Sequence, residues 1–436
     1  MSFVSPLDAF PAPDVTKTLL PAYKGKHWTQ LPTPSFTLRK SVIESHCTRM
    51  LGRIEAMGAR FRGHVKTHKC IPVTKMQMGY DLPNYSGVKH DSVVVSTLKE
   101  AWEIVSYQER TGERFVNDII FGLPNFTEDA LIQVETLKTK VGHFRMHCDS
   151  LDQIELLKKF DKKHPGNAPW SVIVKMDAGT ARAGIMDETY LAKVLESINA
   201  TDNVELYGFY AHSGHSYNCN SFEETEDALI GELETVKKGL DVLATSVPSI
   251  DLSKLVVSVG ATPTLHSLEH HVFEKTNAKI VEIIKEIKST VEFHAGNYVF
   301  CDLQQVSTGC VSKDQVAGAV VGSVISQYPG RKNDLGELLC NVGVICMSRE
   351  VSRKHPGFGR VIADEQYGEW FMERMSQEHG ILNPVKGQTD AKMIPIGTKI
   401  KILPNHACIT VNSFNVYYVL DDEDKVCDVW VPWRGW

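Results

Sequence analysis

One lysine follows a short apolar run in a setting that favours nucleophilic chemistry. The segment reads His64-Val65-Lys66-Thr67-His68-Lys69, and Lys66 alternates with His64 at the end of a predicted strand. A lysine amine held in a partly apolar pocket can attack a carbonyl carbon and form a Schiff base. Lys69 is the neighbouring candidate, but it lies one step beyond the strand, so Lys66 is the preferred nucleophile.

Two glycine-containing segments further along carry the residue types that suit a phosphate. They are SVGATPT at residues 258–264 and HAGNY at residues 294–298. Glycine lets backbone N–H groups approach an anion closely, while the Thr262 hydroxyl and the Asn297 amide supply further donors. Either segment alone is also a common turn. Two of them at neighbouring predicted strand ends, together with Lys66, predict a phosphate-bearing ligand.

Two more predicted strand ends carry polar side chains, in DAGTARAG at residues 177–184 and YAHSGHSY at residues 210–217. Arg182 could donate to a phenolate of a bound ring, and Tyr210, His212 or Tyr217 could position that ring or a substrate. For any one of these residues, ordinary loop hydrogen bonding is an equally good interpretation.

A possible metal pair lies far downstream, in Pro404-Asn405-His406-Ala407-Cys408. If the segment is a strand, His406 and Cys408 point to the same face, which suits a borderline-soft ion such as zinc. A satisfied histidine beside a buried cysteine explains most such pairs, so the spacing alone is weak evidence.

The elements that must position these residues are predicted by the hydrophobic pattern. Short β-branched runs alternate with longer helical patterns, which predicts a (β/α)8 barrel whose active site lies at the carboxyl ends of the strands. The predicted strands are Phe61–Lys66, Ser92–Ser96, Asp118–Phe121, His143–His147, Val172–Met176, Val204–Tyr210, Leu255–Val259 and Thr290–Phe293. The clearest predicted helices are Thr37–Met57, Glu128–Lys138, Leu151–Lys162 and Phe222–Leu243.

The hydrophobic pattern of the sequence changes at about Val299, where strand-like runs broken by Gly, Asn and Asp replace the helical patterns. The runs are VFCDLQQVSTG, AVVGSVISQY, LLCNVGVICMSRE, KIKILP, CITVNSFNVYYVL and KVCDVWVP. We therefore expect an α/β fold, with a barrel over residues 37–298 and an antiparallel β domain built from residues 299–436 and 1–36. The stretch 264–288 is longer than a minimal crossover and suggests an insertion.

Charge, cysteine spacing and the motifs that are absent argue against several classes of protein. The net charge is −6 and the charges are interleaved, so no basic stripe is available for nucleic acid. The ten cysteines form no C-x-x-C pair, which argues against a disulfide framework or a zinc ribbon. There is no Walker A motif and no apolar stretch long enough to cross a bilayer. The first twenty residues do not read as a targeting peptide, so we expect a cytoplasmic protein.

Taken together, RGHVKTHK, DAGTARAGI, FYAHSGHSY, SVGATPT and HAGNYVF resemble the fold-type III pyridoxal-phosphate enzymes, the alanine racemase superfamily. Within that superfamily the chain is similar to the eukaryotic D-serine dehydratases and their D-threonine aldolase relatives. The resemblance implies that pyridoxal 5'-phosphate is bound, with Lys66 as the Schiff-base lysine. It also implies phosphate contacts by Thr262, Gly296 and Asn297, and ring contacts by Arg182, Tyr210 and Tyr217. Gly63 and Ala295 stand where the family often has proline, which changes local loop shape but no reacting group.

The same resemblance implies a zinc ion held by His406 and Cys408 and completed by water or substrate. D-threonine aldolases more often have a carboxylate where Cys408 stands, so this position favours a dehydratase. The implied reaction converts D-serine to pyruvate and ammonia, with D-threonine to 2-oxobutanoate as a second conversion. Because Lys66 and the metal pair lie in different predicted domains, the site must form between domains, and the family's homodimers suggest two subunits.

Three alternatives remain open at this point. A D-threonine or D-3-hydroxyamino-acid aldolase would share the cofactor and break the Cα–Cβ bond. An amino-acid racemase is the next alternative, and a non-catalytic pyridoxal-phosphate carrier is an alternative of another class. The pair His406 and Cys408 discriminates among these, because neither a racemase nor a carrier needs it.

Overall fold

Strands and helices alternate along the first two thirds of the chain, and strands dominate the remainder. The computed structural model describes residues 3–12, 14–166, 168–268, 277–388 and 390–436. The strands are β1 (Ser35–Arg39), β2 (Arg60–His64), β3 (Ser92–Val95), β4 (Asp118–Phe121), β5 (His143–Cys148), β6 (Trp170–Met176), β7 (Val204–Ala211), β8 (Val256–Val259), β9 (Thr290–Ala295), β10 (Gly318–Tyr328), β11 (Glu337–Cys340), β12 (Gly359–Ile362), β13 (Trp370–Met375), β14 (Gly380–Pro384), β15 (Lys399–Pro404), β16 (Tyr417–Leu420) and β17 (Val426–Trp430). The α-helices within the described residues are Pro6–Ala9, Thr16–Tyr23, Lys40–Ala56, Ile71–Gln77, Leu98–Thr111, Glu128–Lys138, Leu151–Lys163, Glu188–Asn199, Phe222–Ser246, Thr262–His266, Ala278–Glu286, Leu303–Ser307 and Ala407–Val411.

Strands β2 to β9 form a closed parallel barrel, in which β2 pairs with both β3 and β9. The predicted (β/α)8 barrel is therefore confirmed. The first predicted strand ended at Lys66, whereas β2 ends at His64. Val65 N still donates to Val94 O at 3.1 Å, and the chain then turns through Lys69, whose φ is 49°. Lys66 thus lies on the turn that leaves the barrel mouth.

Charged residues occupy the barrel interior. The Arg62 guanidinium lies 2.7 Å from Glu292 and 3.0 Å from Asp118, and Arg145 lies 2.8 Å from Asp118. Burial would raise the pKa of Asp118, but the charges of Arg62 and Arg145 lower it to about 2. Buried charges are costly unless they are paired and hydrogen-bonded. This network therefore ties β2, β4, β5 and β9 together beneath the mouth.

Several predicted helix boundaries differ from the structure. Thr37 was predicted to begin a helix, but it belongs to β1, where it pairs with Ala319, and the helix begins at Lys40. A β-branched residue in a run of large apolar side chains favours the strand. Helix Phe222–Ser246 extends three residues beyond the predicted end at Leu243.

The remaining strands form one nine-stranded sheet in the order β11-β14-β13-β12-β15-β10-β1-β16-β17. Because β11 also pairs with β10, six of these strands close into an antiparallel ring, and β1, β16 and β17 extend it from β10. The predicted antiparallel β region is thus present and includes the N-terminal strand β1. The domain limits, 37–298 against 1–36 with 299–436, remain a prediction.

Two runs that were predicted as strands are partly helical. In VFCDLQQVSTG, Leu303–Ser307 is a helical turn, and in CITVNSFNVYYVL the first residues belong to helix Ala407–Val411. Asp302 explains both, because its carboxylate accepts from Gln305 N at 3.0 Å and from Ala407 N at 2.9 Å. One buried side chain therefore satisfies N–H groups at the start of two helical turns, which a pattern of hydrophobicity cannot reveal.

The suggested insertion at 264–288 lies partly outside the described residues, which omit 269–276. Its described parts are helices Thr262–His266 and Ala278–Glu286. Across the portion of the chain that the structure describes, no helix is both long and apolar enough to span a membrane.

Candidate active site at the barrel mouth

The two lysines after β2 have different surroundings. Lys66 is partly buried and its ammonium group has no hydrogen bond or ion pair with any described residue. Burial and then the charge of Lys66 lower the pKa of His212 to about 3 and that of His64 well below its usual range, so the amine lies among uncharged imidazoles. Lys69, by contrast, is ion-paired with Glu100. The geometry favours Lys66 over Lys69 as the free nucleophile.

Contacts from the C-terminal domain hold the loop that follows Lys66. Thr67 Oγ1 lies 3.0 Å from Cys408 Sγ, Tyr417 Oη donates to His68 O at 3.2 Å, and Trp433 N donates to Lys69 O at 2.6 Å. A single chain therefore brings Lys66 and Cys408 into one site. A contribution from a second subunit stays a prediction.

The predicted phosphate loops converge at the ends of β7, β8 and β9. Tyr298 N donates to Thr262 Oγ1 at 3.0 Å, and Tyr217 lies close to Thr262 as well. Gly296 sits against the end of β2, where a Cβ would come within 2.8 Å of His64 O. These contacts bring Thr262, Gly296 and Tyr217 together beside the turn that carries Lys66. Hydroxyl donors and a close backbone approach suit a phosphate.

Asn297 is held by the same carboxylate that caps the two helical turns. Its Nδ2 donates to Asp302 Oδ2 at 2.6 Å, and Ala407 N donates to the same oxygen. Asp302 is fully buried. The loop after β9 and the segment His406–Cys408 are therefore joined through one side chain, and Asn297 has a connecting role that the sequence did not indicate.

Tyr210 is buried inside the barrel, whereas Arg182 is exposed on a loop outside it. The Tyr210 ring is buried in the barrel, stacked on His294 with centroids 4.0 Å apart and an interplanar angle of 12°, and 4.4 Å from the His147 ring. Arg182 is exposed on the loop after β6. Burial and the charge of Arg182 lower the pKa of Lys175 to about 8. The ring-contact roles of Arg182 and Tyr210 stay predictions.

Several polar residues of this layer were missed in the sequence. His147 and His294 are buried, as is Lys175, whose ammonium lies 4.8 Å from the Tyr210 ring centroid. His212, which the sequence offered only as an alternative, donates from Nδ1 to Gly260 O at 2.7 Å, so its Nε2 is left as an acceptor. Alternation along each strand could have identified them, since inward positions follow period two.

A buried carboxyl connects the loops after β7 and β8. Glu232, on helix Phe222–Ser246, accepts from Ser213 N at 2.5 Å and from Thr264 Oγ1 at 3.1 Å. Burial raises the pKa of Glu232 to about 8, although both hydrogen bonds oppose the shift. A carboxyl that is mostly protonated at neutral pH thus fixes the loop bearing His212 and Tyr217 relative to the loop bearing Thr262.

His406 and Cys408 lie side by side, but not on a strand as the sequence argument assumed. Cys408 belongs to helix Ala407–Val411, and His406 is the residue just before that helix. The two side chains are close enough to shift one another's pKa, and His406 Nδ1 is paired with Glu350. The strand geometry was wrong, while the proximity of the pair was correctly expected.

Electrostatics favour an anionic sulfur here. Burial opposes the charged forms, but the Cys408 contact, with Asp302 and Glu350, raises the pKa of His406 to about 10. Burial would likewise raise the pKa of Cys408, yet the hydrogen bond and charge of His406, with Lys66, lower it. Within the described residues no group of three or more His, Cys, Asp or Glu side chains could hold a metal. A cysteine sulfur and an imidazole backed by a carboxylate are nevertheless ligand types that zinc accepts.

The chain is similar to known proteins along most of its length. The family model "Alanine racemase, N-terminal domain" matches residues 50–276, and "Putative serine dehydratase domain" matches residues 317–420. A D-serine dehydratase of Saccharomyces cerevisiae is 39% identical over 435 residues, which cover 96% of this chain and 99% of the relative.

Two solved variants of a D-threo-3-hydroxyaspartate dehydratase are also similar. A His-to-Ala variant has a TM-score of 0.79 at 25% identity, covering 96% of this chain and 99% of that one. A Cys-to-Ala variant in the metal-free form has a TM-score of 0.77 at 26% identity, covering 94% and 100%. These likenesses confirm the alanine racemase-like fold.

Proposed function

The chain belongs to the D-serine dehydratase family, and from that premise we propose that it is a pyridoxal-phosphate- and zinc-dependent lyase that converts D-serine to pyruvate and ammonia. The observation that carries the proposal is the contact between Thr67 and Cys408 at 3.0 Å. Lys66, the candidate cofactor lysine, directly precedes Thr67, and the Thr67 side chain contacts the candidate metal ligand Cys408. The variants of the dehydratase relative support the metal assignment, because they replace a histidine and a cysteine two positions apart.

The residues divide into two groups by what they would hold. Lys66 Nζ would hold the cofactor aldehyde, and Thr262, Gly296 and Asn297 would hold its phosphate. Arg182, Tyr210 and Tyr217 would lie around its ring. His406 and Cys408 would hold zinc. When bound, pyridoxal phosphate takes up the electron pair released at the substrate Cα, and zinc stabilises the negative charge on a departing hydroxyl.

The chain's own groups then account for the proton movements. Lys66 Nζ would be the group that accepts the α-proton, because no described acidic side chain holds it in an ion pair. The neighbouring imidazoles of His64 and His212 have a pKa lowered by burial and by Lys66. They therefore stay neutral and do not compete as charged acids. Thr67 directly follows Lys66 and contacts the Cys408 thiol through its hydroxyl, so it links the lysine to the candidate metal pair.

Product analysis tests the proposed function. Purified protein is incubated with D-serine, D-threonine and their L-isomers, and 2-oxo acid, aldehyde and racemised amino acid are assayed. We expect pyruvate and ammonia from D-serine and 2-oxobutanoate from D-threonine. Glycine and an aldehyde would instead indicate the aldolase, racemised product would indicate a racemase, and no turnover would indicate a carrier.

We propose a homodimer, supported by exposed apolar side chains around the mouth. Leu123 and Met186 follow β4 and β6, and Ile409 follows Cys408, and each is at least half exposed. Because Lys66 and Cys408 of one chain already meet, mixing Lys66→Ala with His406→Ala subunits should not restore activity. Recovery of about a quarter of the activity would mean that the site is shared between subunits. Light scattering should give twice the chain mass.

A cytoplasmic location is also proposed, supported by the cysteines. All ten are free thiols, and Cys47, Cys70, Cys148, Cys301, Cys340 and Cys346 are buried. Unpaired thiols in this number suit a reducing compartment. Cell fractionation with a tagged protein would test it, and recovery in a secretory fraction would contradict it.

A further inference from the structure

Each candidate metal ligand has a polar partner in addition to the other ligand. His406 Nδ1 is paired with a Glu350 carboxylate oxygen, and Cys408 Sγ lies 3.0 Å from Thr67 Oγ1. Neither Glu350 nor Thr67 is itself adjacent in sequence to the ligands. The pairings are therefore made by the fold and not by local chain geometry.

The Glu350 pairing fixes the imidazole. With Nδ1 directed at a carboxylate, the ring can present only Nε2 to the thiol and to an incoming ion. Glu350 is held in turn, since Glu350 N donates to Ser348 Oγ at 3.0 Å and Asn405 Nδ2 donates to Glu350 O at 3.1 Å. Gln304 Nε2 donates to the same carboxylate at 3.3 Å. The carboxylate is thus aimed at His406 by its own backbone anchors.

The Thr67 pairing fixes the sulfur. Thr67 is fully buried, so its hydroxyl has no competing water and its donor is available to the sulfur. A hydroxyl that donates to a thiolate orients its lone pairs and moderates its charge. Because Thr67 follows Lys66 directly, the same contact also sets the distance between the lysine loop and the metal pair.

We propose that Glu350 and Thr67 are positioning residues of the metal site, one for each ligand, and that they set its affinity and its distance from the lysine. This inference rests on the proposed zinc site. A site with only two protein ligands has less geometric constraint than one with three or four. Orientation of each ligand should therefore matter more here than in a fully ligated site.

The test measures metal binding without turnover. Purified protein is stripped of metal and titrated with Co²⁺, whose thiolate charge-transfer band reports coordination by sulfur, and with Zn²⁺ against a chromogenic chelator. Glu350→Gln and Glu350→Ala should weaken metal binding by roughly 10- to 100-fold, the range found when partners of ligands are removed. Thr67→Val should weaken it and shift the cobalt–thiolate band, whereas Thr67→Ser, which keeps the hydroxyl, should restore both.

Matched controls separate positioning from general damage. Thr74→Val removes another buried hydroxyl, one that donates to Cys70 O and not to a ligand, and Glu365→Gln changes an exposed carboxylate elsewhere in the C-terminal region. Both should bind metal as the unaltered protein does. Wild-type affinity and an unshifted band in Glu350→Ala and Thr67→Val would overturn the inference while leaving the metal site intact. Failure of the unaltered protein to bind either ion would overturn the metal site itself.

Discussion

Lys69 and Glu100 form an ion pair, whereas Lys66, the other candidate lysine, has none with any described residue. Glu100 is fully buried on helix Leu98–Thr111, and its second oxygen accepts from Ser96 N at 2.7 Å. Thr97 caps the start of this helix, because its Oγ1 accepts a hydrogen bond from Glu100 N. Breaking this pair would leave a buried carboxylate uncompensated, so Lys69 is held for structure and Lys66 is left free.

The first prediction concerns cofactor attachment. The protein reconstituted with pyridoxal phosphate should be yellow, and Lys66→Ala should lose the absorption band after dialysis because the covalent link is gone. Lys69→Met should keep the band but unfold at lower temperature, because Glu100 loses its partner. Borohydride reduction followed by peptide mapping checks the attachment point. Recovery of the pyridoxyl group on Lys69 would contradict the assignment.

How far the sequence predicted the fold depends on the kind of element. The barrel strands were predicted because their β-branched runs recur between helical patterns, and each of the eight overlaps an observed strand. The helical turns that Asp302 caps could not be predicted from the local hydrophobic pattern. The Asp302 carboxylate caps turns at Leu303 and Ala407, about a hundred residues apart, and so converts two strand-like runs into helices. A contact of that separation leaves no local periodicity.

Some residues of the candidate site could be predicted from the sequence, and others could not. Residues at strand ends, such as Lys66 and Thr262, stand out because position in a barrel gives them meaning. Glu350 and Glu232 do not, since one lies on an irregular loop and the other in the middle of a long helix. Their roles depend on which side chains they meet, and only the fold supplies that information.

The second prediction concerns the phosphate loops. Thr262→Ala should weaken retention of pyridoxal phosphate roughly tenfold or more, because a hydrogen bond to a charged group contributes about 1.5–3 kcal/mol. Asn297→Ala should weaken cofactor retention and metal binding together, since Asp302 joins Asn297 to Ala407. Equilibrium dialysis of each variant measures both. Thr245→Ala on the surface of helix Phe222–Ser246 is the control, and unchanged cofactor affinity in both site variants would remove these loops from the site.

The third prediction concerns pH and Glu232. The folded-state pKa of about 8 lies above the value expected in the unfolded chain, about 4.3. The folded protein therefore binds the proton more tightly, and this contribution to stability is present below pH 4.3 and lost as the pH rises towards 8. Compared with Glu232→Gln, which mimics the protonated carboxyl, the unaltered protein should lose a few kcal/mol of unfolding free energy across that window.

Urea unfolding of both proteins between pH 5 and pH 8.5 measures this difference. The control is Glu234→Gln, which changes a half-exposed residue on the same helix that pairs with Lys279. Its unfolding free energy should vary with pH in the same way as that of the unaltered protein. Parallel curves for Glu232→Gln as well would show that Glu232 titrates as an ordinary carboxylate and does not link the two loops in its protonated form.

The last prediction is that metal is required for elimination and not for cofactor attachment, because His406 and Cys408 are assigned to the leaving group and Lys66 to the cofactor. Chelation should leave the yellow colour and the spectral response to D-serine, while pyruvate production falls and added Zn²⁺ restores it. His406→Ala and Cys408→Ala should imitate chelation and lower zinc affinity about tenfold or more. A merely structural Cys408 would instead give a less stable protein that works without zinc. Full pyruvate production by a preparation shown by elemental analysis to be metal-free would therefore reject the assignment of the His–Cys pair to the departing hydroxyl.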